Sequence, residues 1–239
     1  APPFGAAPRS VEAAAWGSTY GIFHWGPTAW GFYCLPTVAV AYPYYTQRLT
    51  YLRFSASCQY FFGAREETRR ARVIDWLFMI ALLGGAGSSL GFSTPLIAAC
   101  ISRLTGVERD FGLEVVVVGL CVALFGTSVW FGLKKGIKRL SDVNVVLALV
   151  LLAFMVIVGP TVFLLQTSLN SVGVLLADFI RMNSWTDPFT DSGFVERWTI
   201  FYWAWWVAYG PFVGLFVTRI SKGRTLRQVI LGMIGWGSL

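Results

Sequence analysis

Between Arg197 and Arg219 the chain carries no charged side chain, and at about 1.5 Å of rise per helical residue that interval is roughly one bilayer thickness. It is also crowded with rings. Trp198, Phe201, Tyr202, Trp203, Trp205, Trp206 and Tyr209 fall within a little over three helical turns, before Pro211. Aromatic anchors normally sit at headgroup level near the ends of a span, whereas Trp203, Trp205, Trp206 and Tyr209 lie towards the middle of this one. At about 100° per residue Trp203, Trp206 and Tyr209 share one broad face, with Trp205 about 160° round from Trp203. Indoles converging where water is excluded, with no acidic residue among them, suit a quaternary ammonium, a cation that needs no hydrogen bonds and is held by cation–π attraction. On chemistry alone, tight aromatic packing between buried helices remains an open alternative.

The rest of the chain has the same membrane character. Of its 239 residues 56% are hydrophobic and only 13% charged, with a mean hydropathy of +0.62, which is outside the soluble range and reads as an all-α polytopic membrane protein. The net charge of +7 comes from short basic clusters between apolar runs, the pattern of topology signals rather than of a nucleic-acid surface. Cys34, Cys58, Cys100 and Cys121 are scattered singly and there is one His, so neither a disulfide framework, a metal site nor a cofactor is expected. Asp75, Asp142 and Glu196 sit at span ends, which gives little support to an enzyme.

Five spans are expected at about 19–42, 75–102, 113–133, 143–166 and 198–218, with the start of another at about 228–239. The first contains Trp25, Trp30 and Tyr33, a second aromatic set, and has Pro27 and Pro36 inside it. Its His24 reads either as a proton relay or as a hydrogen-bonded structural residue. The half-apolar stretch 51–62 is too short to span and reads as interfacial or re-entrant. The second span is interrupted by Gly84 to Pro95, whose small residues and hydroxyls (Ser88, Ser89, Ser93, Thr94) suit close helix packing or ligation of a dehydrated ion. Residues 170–184 alternate apolar and polar positions and read as an amphipathic helix along the membrane surface.

Basic residues concentrate after the first, third and fifth spans. By the positive-inside rule residue 1 is then outside, with 43–74, 134–142 and 219–227 cytoplasmic. The lack of an initiator Met and the apolar C-terminal stretch lead to the expectation that this chain is part of a longer protein.

Three stretches carry a resemblance: Phe23-His-Trp-Gly with Ala29-Trp-Gly-Phe-Tyr33; Gly136-Ile-Lys-Arg-Leu-Ser-Asp-Val-Asn144 leading to Val158-Gly-Pro-Thr-Val-Phe163; and Trp198-Thr-Ile-Phe-Tyr-Trp-Ala-Trp-Trp with Pro211-Phe-Val-Gly and Arg219-Ile-Ser-Lys-Gly-Arg-Thr225. They resemble the betaine/choline/carnitine transporter family in register along nearly the whole chain. The resemblance implies a partial inverted-repeat bundle of the leucine-transporter type, in which the spans here correspond to the fourth to eighth membrane helices. It further implies an aromatic box for a trimethylammonium group, built here from Trp25, Trp30 and Tyr33 of the first span and Trp203, Trp205, Trp206 and Tyr209 of the fifth. Tyr209 stands where many betaine-transporting relatives have Trp, which leaves the particular quaternary ammonium substrate open. Sodium or proton coupling, substrate exchange and a homotrimer are implied by the resemblance alone, and the helices that would hold sodium lie outside this chain. A membrane sensor binding the same ligand is the competing reading of the same residues.

Overall fold

The computed structural model describes residues 2–49, 52–59, 68–130 and 138–238. They form helices and connecting turns: a 3-10 turn Pro3–Gly5, then α1 (Val11–Trp25), α2 (Pro27–Thr46), the short α3 (Phe54–Ser57), α4 (Arg69–Thr105), α5 (Phe111–Trp130), α6 (Lys138–Val158), α7 (Thr161–Ser184), a π-helical turn Val195–Ile200 running directly into α8 (Phe201–Ile220), and α9 (Leu226–Gly237). Among the described residues five stretches are long and apolar enough to cross a membrane: α4, α5, α6, α7 and the continuous Val195–Ile220. The expected basic positions Arg65, Lys134 and Lys135 lie outside the described residues.

Helix boundaries differ from the sequence expectation at two Gly-Pro pairs, Gly26-Pro27 and Gly159-Pro160. The first expected span is two helices. Gly26 departs from helical geometry (φ −93°, ψ −132°) and Pro27 opens α2 at its first position, where a missing N–H costs nothing and the fixed φ is already helical. Pro27 is therefore a helix start rather than an interior kink, and α1 with 15 residues is too short to span alone. The stretch Gly84–Pro95 is continuous helix within α4 rather than an interruption. Between α6 and α7 the break falls at Gly159-Pro160. A Cβ at Gly159 would stand 2.4 Å from the Met155 carbonyl oxygen, and proline cannot donate the next helical bond. The last residues of the expected span 143–166 consequently join the amphipathic stretch 170–184 in one 24-residue helix.

Contacts divide the chain into two compact units, Ala1–Gly85 with Gln166–Leu239, and Ala86–Leu165. In the second unit α6 has no buried residue and α5 buries only Val117. In water such apolar helix surfaces would be a liability, whereas they are the ordinary face that a helix shows to lipid or to a neighbouring helix.

The first unit is organised by α8 lying against α2. Gly210 and Gly214, four residues apart, put their backbone against Pro36: a Cβ at Gly210 would be 3.3 Å from Pro36 Cγ, and one at Gly214 2.8 Å from the Pro36 carbonyl carbon. Small residues at this spacing let two helices approach to backbone contact, which favours association in membranes through dispersion. At the far end of the same pair the Tyr45 hydroxyl donates to the Thr218 carbonyl oxygen at 2.8 Å. Tyr33, Cys34, Trp206, Val217, Val229 and Met233 form the core between α2, α8 and α9. A second core joins Trp16, Tyr20 and Phe23 of α1 to Leu175 and Met182 of α7, where Ser171 also donates to Ser18 at 2.8 Å.

The loop between α7 and the π-helical turn is closed by Asp187. Its backbone lies in the left-handed region (φ 55°) and its carboxylate accepts from the Ser192 amide and hydroxyl, each at 2.6 Å, and from the Thr190 hydroxyl. Those donors favour the charged form and hold the Asp187 carboxyl below the usual carboxylate range. Because the folded-state pKa is lowered, the stabilisation is complete above the ordinary carboxylate pKa of about 3.9 and is lost as pH falls through the folded value.

Two outcomes test this framework. Gly214→Val should force α8 away from Pro36 and destabilise the protein by about 1–3 kcal/mol, read as a lower thermal midpoint in detergent, and Gly214→Ala should do so by less. Asp187→Asn keeps a residue tolerant of positive φ and should flatten the acid limb of the protein's stability, followed by thermal unfolding between about pH 5 and 3.

Candidate functional site: an aromatic cluster at a helix break

The site starts from a backbone event. Breaking the helix at Gly26 leaves carbonyls in the last turn of α1 without their usual intrahelical donors, and a buried carbonyl must find another. The His24 carbonyl receives the Trp206 indole N–H at 3.0 Å, so the most buried tryptophan of α8, only 5% exposed, is anchored to the end of α1. A π-helical turn precedes α8, a form that appears mostly as single-turn bulges and frequently at functional sites.

Around Trp206 the rings form one connected surface. Trp25 meets it edge-on with centroids 4.9 Å apart, and Tyr33 does so at 5.7 Å. Tyr202 and Trp205 stack with it at 5.8 and 6.0 Å, with ring planes within 21° and 23° of Trp206. Tyr202 and Trp205 are themselves parallel to 4° at 6.3 Å. Tyr209 continues the row beyond Trp205 at 6.4 Å, while its ring edge packs on the Gly85 backbone, where a Cβ would stand 2.6 Å from Tyr209 Cε2. Such edge-on and offset contacts are the favourable geometries of aromatic pairs, and the ring faces left uncovered carry the negative quadrupole that attracts a cation.

Of the seven residues expected from sequence, Trp25, Tyr33, Trp205, Trp206 and Tyr209 are thus brought into a single chain of ring contacts. Trp30 joins only through Tyr33, at 5.8 Å, and its indole lies against Gly237 of α9, where a Cβ would be 2.4 Å away. Trp203 is placed elsewhere. Its ring partners are Phe23, His24 and Phe32, at 5.4 to 5.5 Å, so its contacts are those of packing between α8 and the ends of α1 and α2. Trp203 also packs against the core that holds Tyr33 and Trp206, but it has no ring contact with Trp25, Trp205 or Trp206 among those described.

Sequence reasoning did not single out Tyr202 as a site residue, yet it touches Trp25, Trp198, Phe201, Trp205, Trp206 and the His24 imidazole. Its position three and four residues before Trp205 and Trp206 is the signal that could have found it. His24, 3% exposed, stacks on Tyr202 at 4.8 Å and is hydrogen-bonded through Nε2 to Thr199 Oγ1 at 3.2 Å. It takes the hydrogen-bonded reading rather than the relay one, because its ring neighbours Tyr20, Phe23, Tyr202 and Trp203 are all aromatic.

Two features bear on what the cluster can hold. Neither α2 nor α8 contains an acidic residue, so a cation bound there would be held by ring faces rather than by a carboxylate. A cavity of about 260 Å³ adjoins the cluster, lined by Tyr20, His24, Trp25, Phe194, Trp198 and Tyr202, and Trp25 faces open space over half its surface. Trp25 and Trp206 are in direct contact, so a ligand between them must part the two rings, of which Trp25 is the more exposed.

Trp206→Phe keeps a ring but removes the N–H, leaving the His24 carbonyl unpartnered. The expected cost is about 1–3 kcal/mol, measured as a fall in thermal midpoint larger than that of Trp205→Phe, whose ring is only half-buried.

The whole length of the chain, residues 1–239, matches the model of the betaine/carnitine/choline family transporters. With five helices among the described residues long and apolar enough to cross a membrane, the chain belongs to that family of multi-pass membrane transporters.

Proposed function

We propose that this transporter moves a trimethylammonium compound such as glycine betaine, choline or carnitine across the plasma membrane by ion-coupled secondary transport. The methyl groups dock on the ring surface formed by Trp25, Tyr33, Trp205, Trp206 and Tyr209, with Tyr202 at its centre. Trp30 and Trp203, also expected from sequence, brace that surface from behind. The observation that carries the reading is the anchored Trp206, around which the rings gather with no carboxylate on either helix.

The magnitudes are consistent. A desolvated cation–π contact supplies roughly 0.5–2 kcal/mol. Three or four of them, together with the apolar burial of the methyls, suit micromolar to millimolar binding once the entropic cost of association is met. Ligand release then needs no ion pair to be broken, which favours turnover. In this mechanism Trp25 swings from Trp206 to admit the ligand from the neighbouring cavity, and the docked cation takes its place against the indole. Sodium or protons supply the driving force, and residue 1 lies outside. The basic positions Arg48, Arg53, Arg69, Arg70 and Arg72 after α2, and Arg219, Lys222, Arg224 and Arg227 after α8, support that orientation. A homotrimeric assembly is part of the same proposal on family grounds.

Uptake of radiolabelled betaine, choline and carnitine into proteoliposomes, with and without a sodium or proton gradient, tests the reading. Trp206→Leu removes one desolvated cation–π contact and should raise KM for the transported compound about 5- to 30-fold. A KM equal to that of the parent protein would remove Trp206 from the site.

A further inference from the structure

We propose that the hydrogen bond between His24 and Thr199 is a positioning device that fixes the rotation of α8 and thereby the affinity of the aromatic surface for its cation. This inference rests on the transport reading above and goes beyond it, because neither residue belongs to the ring surface that meets the ligand.

His24 reaches α8 and its leading turn twice, by different groups. Its backbone carbonyl accepts from Trp206 at 3.0 Å, and its imidazole Nε2 is bonded to Thr199 at 3.2 Å. Thr199 and Trp206 are seven residues apart, two helical turns along one face. One bond would fix a point and leave the helix free to swivel about it. Two bonds from one residue, separated by two turns, fix a line. Swivelling by one residue position turns a helix by about 100°, which would carry Trp206 away from Trp25 and Tyr33. The Thr199 contact is the one exposed to such a motion, because Thr199 lies in the π-helical turn Val195–Ile200, where the helical register is already loosened relative to α8. Both partners are buried, His24 at 3% and Thr199 at 7% exposure, and away from bulk water an unmade bond is costly. The imidazole also stacks on Tyr202, so the same ring that holds Thr199 sets the plane from which the Tyr202, Trp205 and Trp206 stack begins.

The test uses three variants of the whole protein in proteoliposomes. Thr199→Val keeps the shape and removes the hydroxyl, Thr199→Ser keeps the hydroxyl, and Trp206→Phe removes the other arm of the clamp. The expected result is a KM for the transported trimethylammonium compound raised about three- to tenfold in Thr199→Val, with Vmax per folded protein little changed, and a return to the parent KM in Thr199→Ser. Thr199→Val combined with Trp206→Phe should raise KM by less than the product of the two single effects, because either substitution alone already frees the helix. Thermal midpoints of the same four proteins, counting the double variant, should show the same non-additivity without any substrate. A parent KM in Thr199→Val overturns the proposal. So does a Thr199→Ser variant that behaves like Thr199→Val, or a loss confined to Vmax and protein yield. If the parent protein carries none of the three compounds, the transport reading fails, while additive thermal midpoints would overturn the clamp and non-additive ones would support it.

Discussion

The structure of the site depends on one unsatisfied carbonyl. Gly26 and Pro27 stop α1 in the middle of an apolar run, and the His24 carbonyl is left where water cannot reach it. In lipid every backbone polar group needs a protein partner, and here the partner is the Trp206 indole. That single bond converts a break in one helix into a fixed position for a large ring on another. The rings around it, Trp25 and Tyr33 edge-on and Tyr202 and Trp205 stacked, are placed by it and by the helical spacing of α8.

The second constraint is the close approach of α2 and α8 at Pro36. Gly210 and Gly214 bring the backbones together, Tyr45 with Thr218 ties the far end of that contact, and His24 with Thr199 ties the end of α1 to the turn that leads into α8. A cation site built from quadrupoles rather than charges needs this rigidity, since ring–cation attraction depends on the face presented. It does not need a buried carboxylate, whose desolvation cost would be several kcal/mol. Trp25 is the exposed member of the set, and in the proposed mechanism it is the ring that a ligand displaces.

Much of this was legible in the residues. The all-α membrane character follows from hydropathy and charge, and the family from the motifs around Trp25, Gly136 and Trp206. The pairing of the Trp25, Trp30, Tyr33 set with the rings of α8 was carried by the resemblance. Three features were not legible. Trp203 and Trp206 share a helical face by angle, and the angle does not say that Trp203 meets Phe23, His24 and Phe32 while Trp206 meets Trp25 and Tyr33. Tyr202 was counted among the rings of the span, but propensity and periodicity do not say which ring becomes the hub. The helix boundaries at Gly26 and Gly159 were misplaced because apolar runs continue through them, and hydropathy does not register the missing proline donor that ends each helix.

The central claim is that the ring surface recognises charge rather than shape. Choline and 3,3-dimethyl-1-butanol have nearly the same outline, one with a quaternary nitrogen and the other with a neutral carbon at its centre. Competition of both against a transported trimethylammonium substrate in the reconstituted protein measures the difference directly. The account predicts that choline competes at least about tenfold more tightly than its neutral counterpart, the equivalent of one to two desolvated cation–π contacts. Equal competition by the two would contradict it and reduce the cluster to aromatic packing between helices.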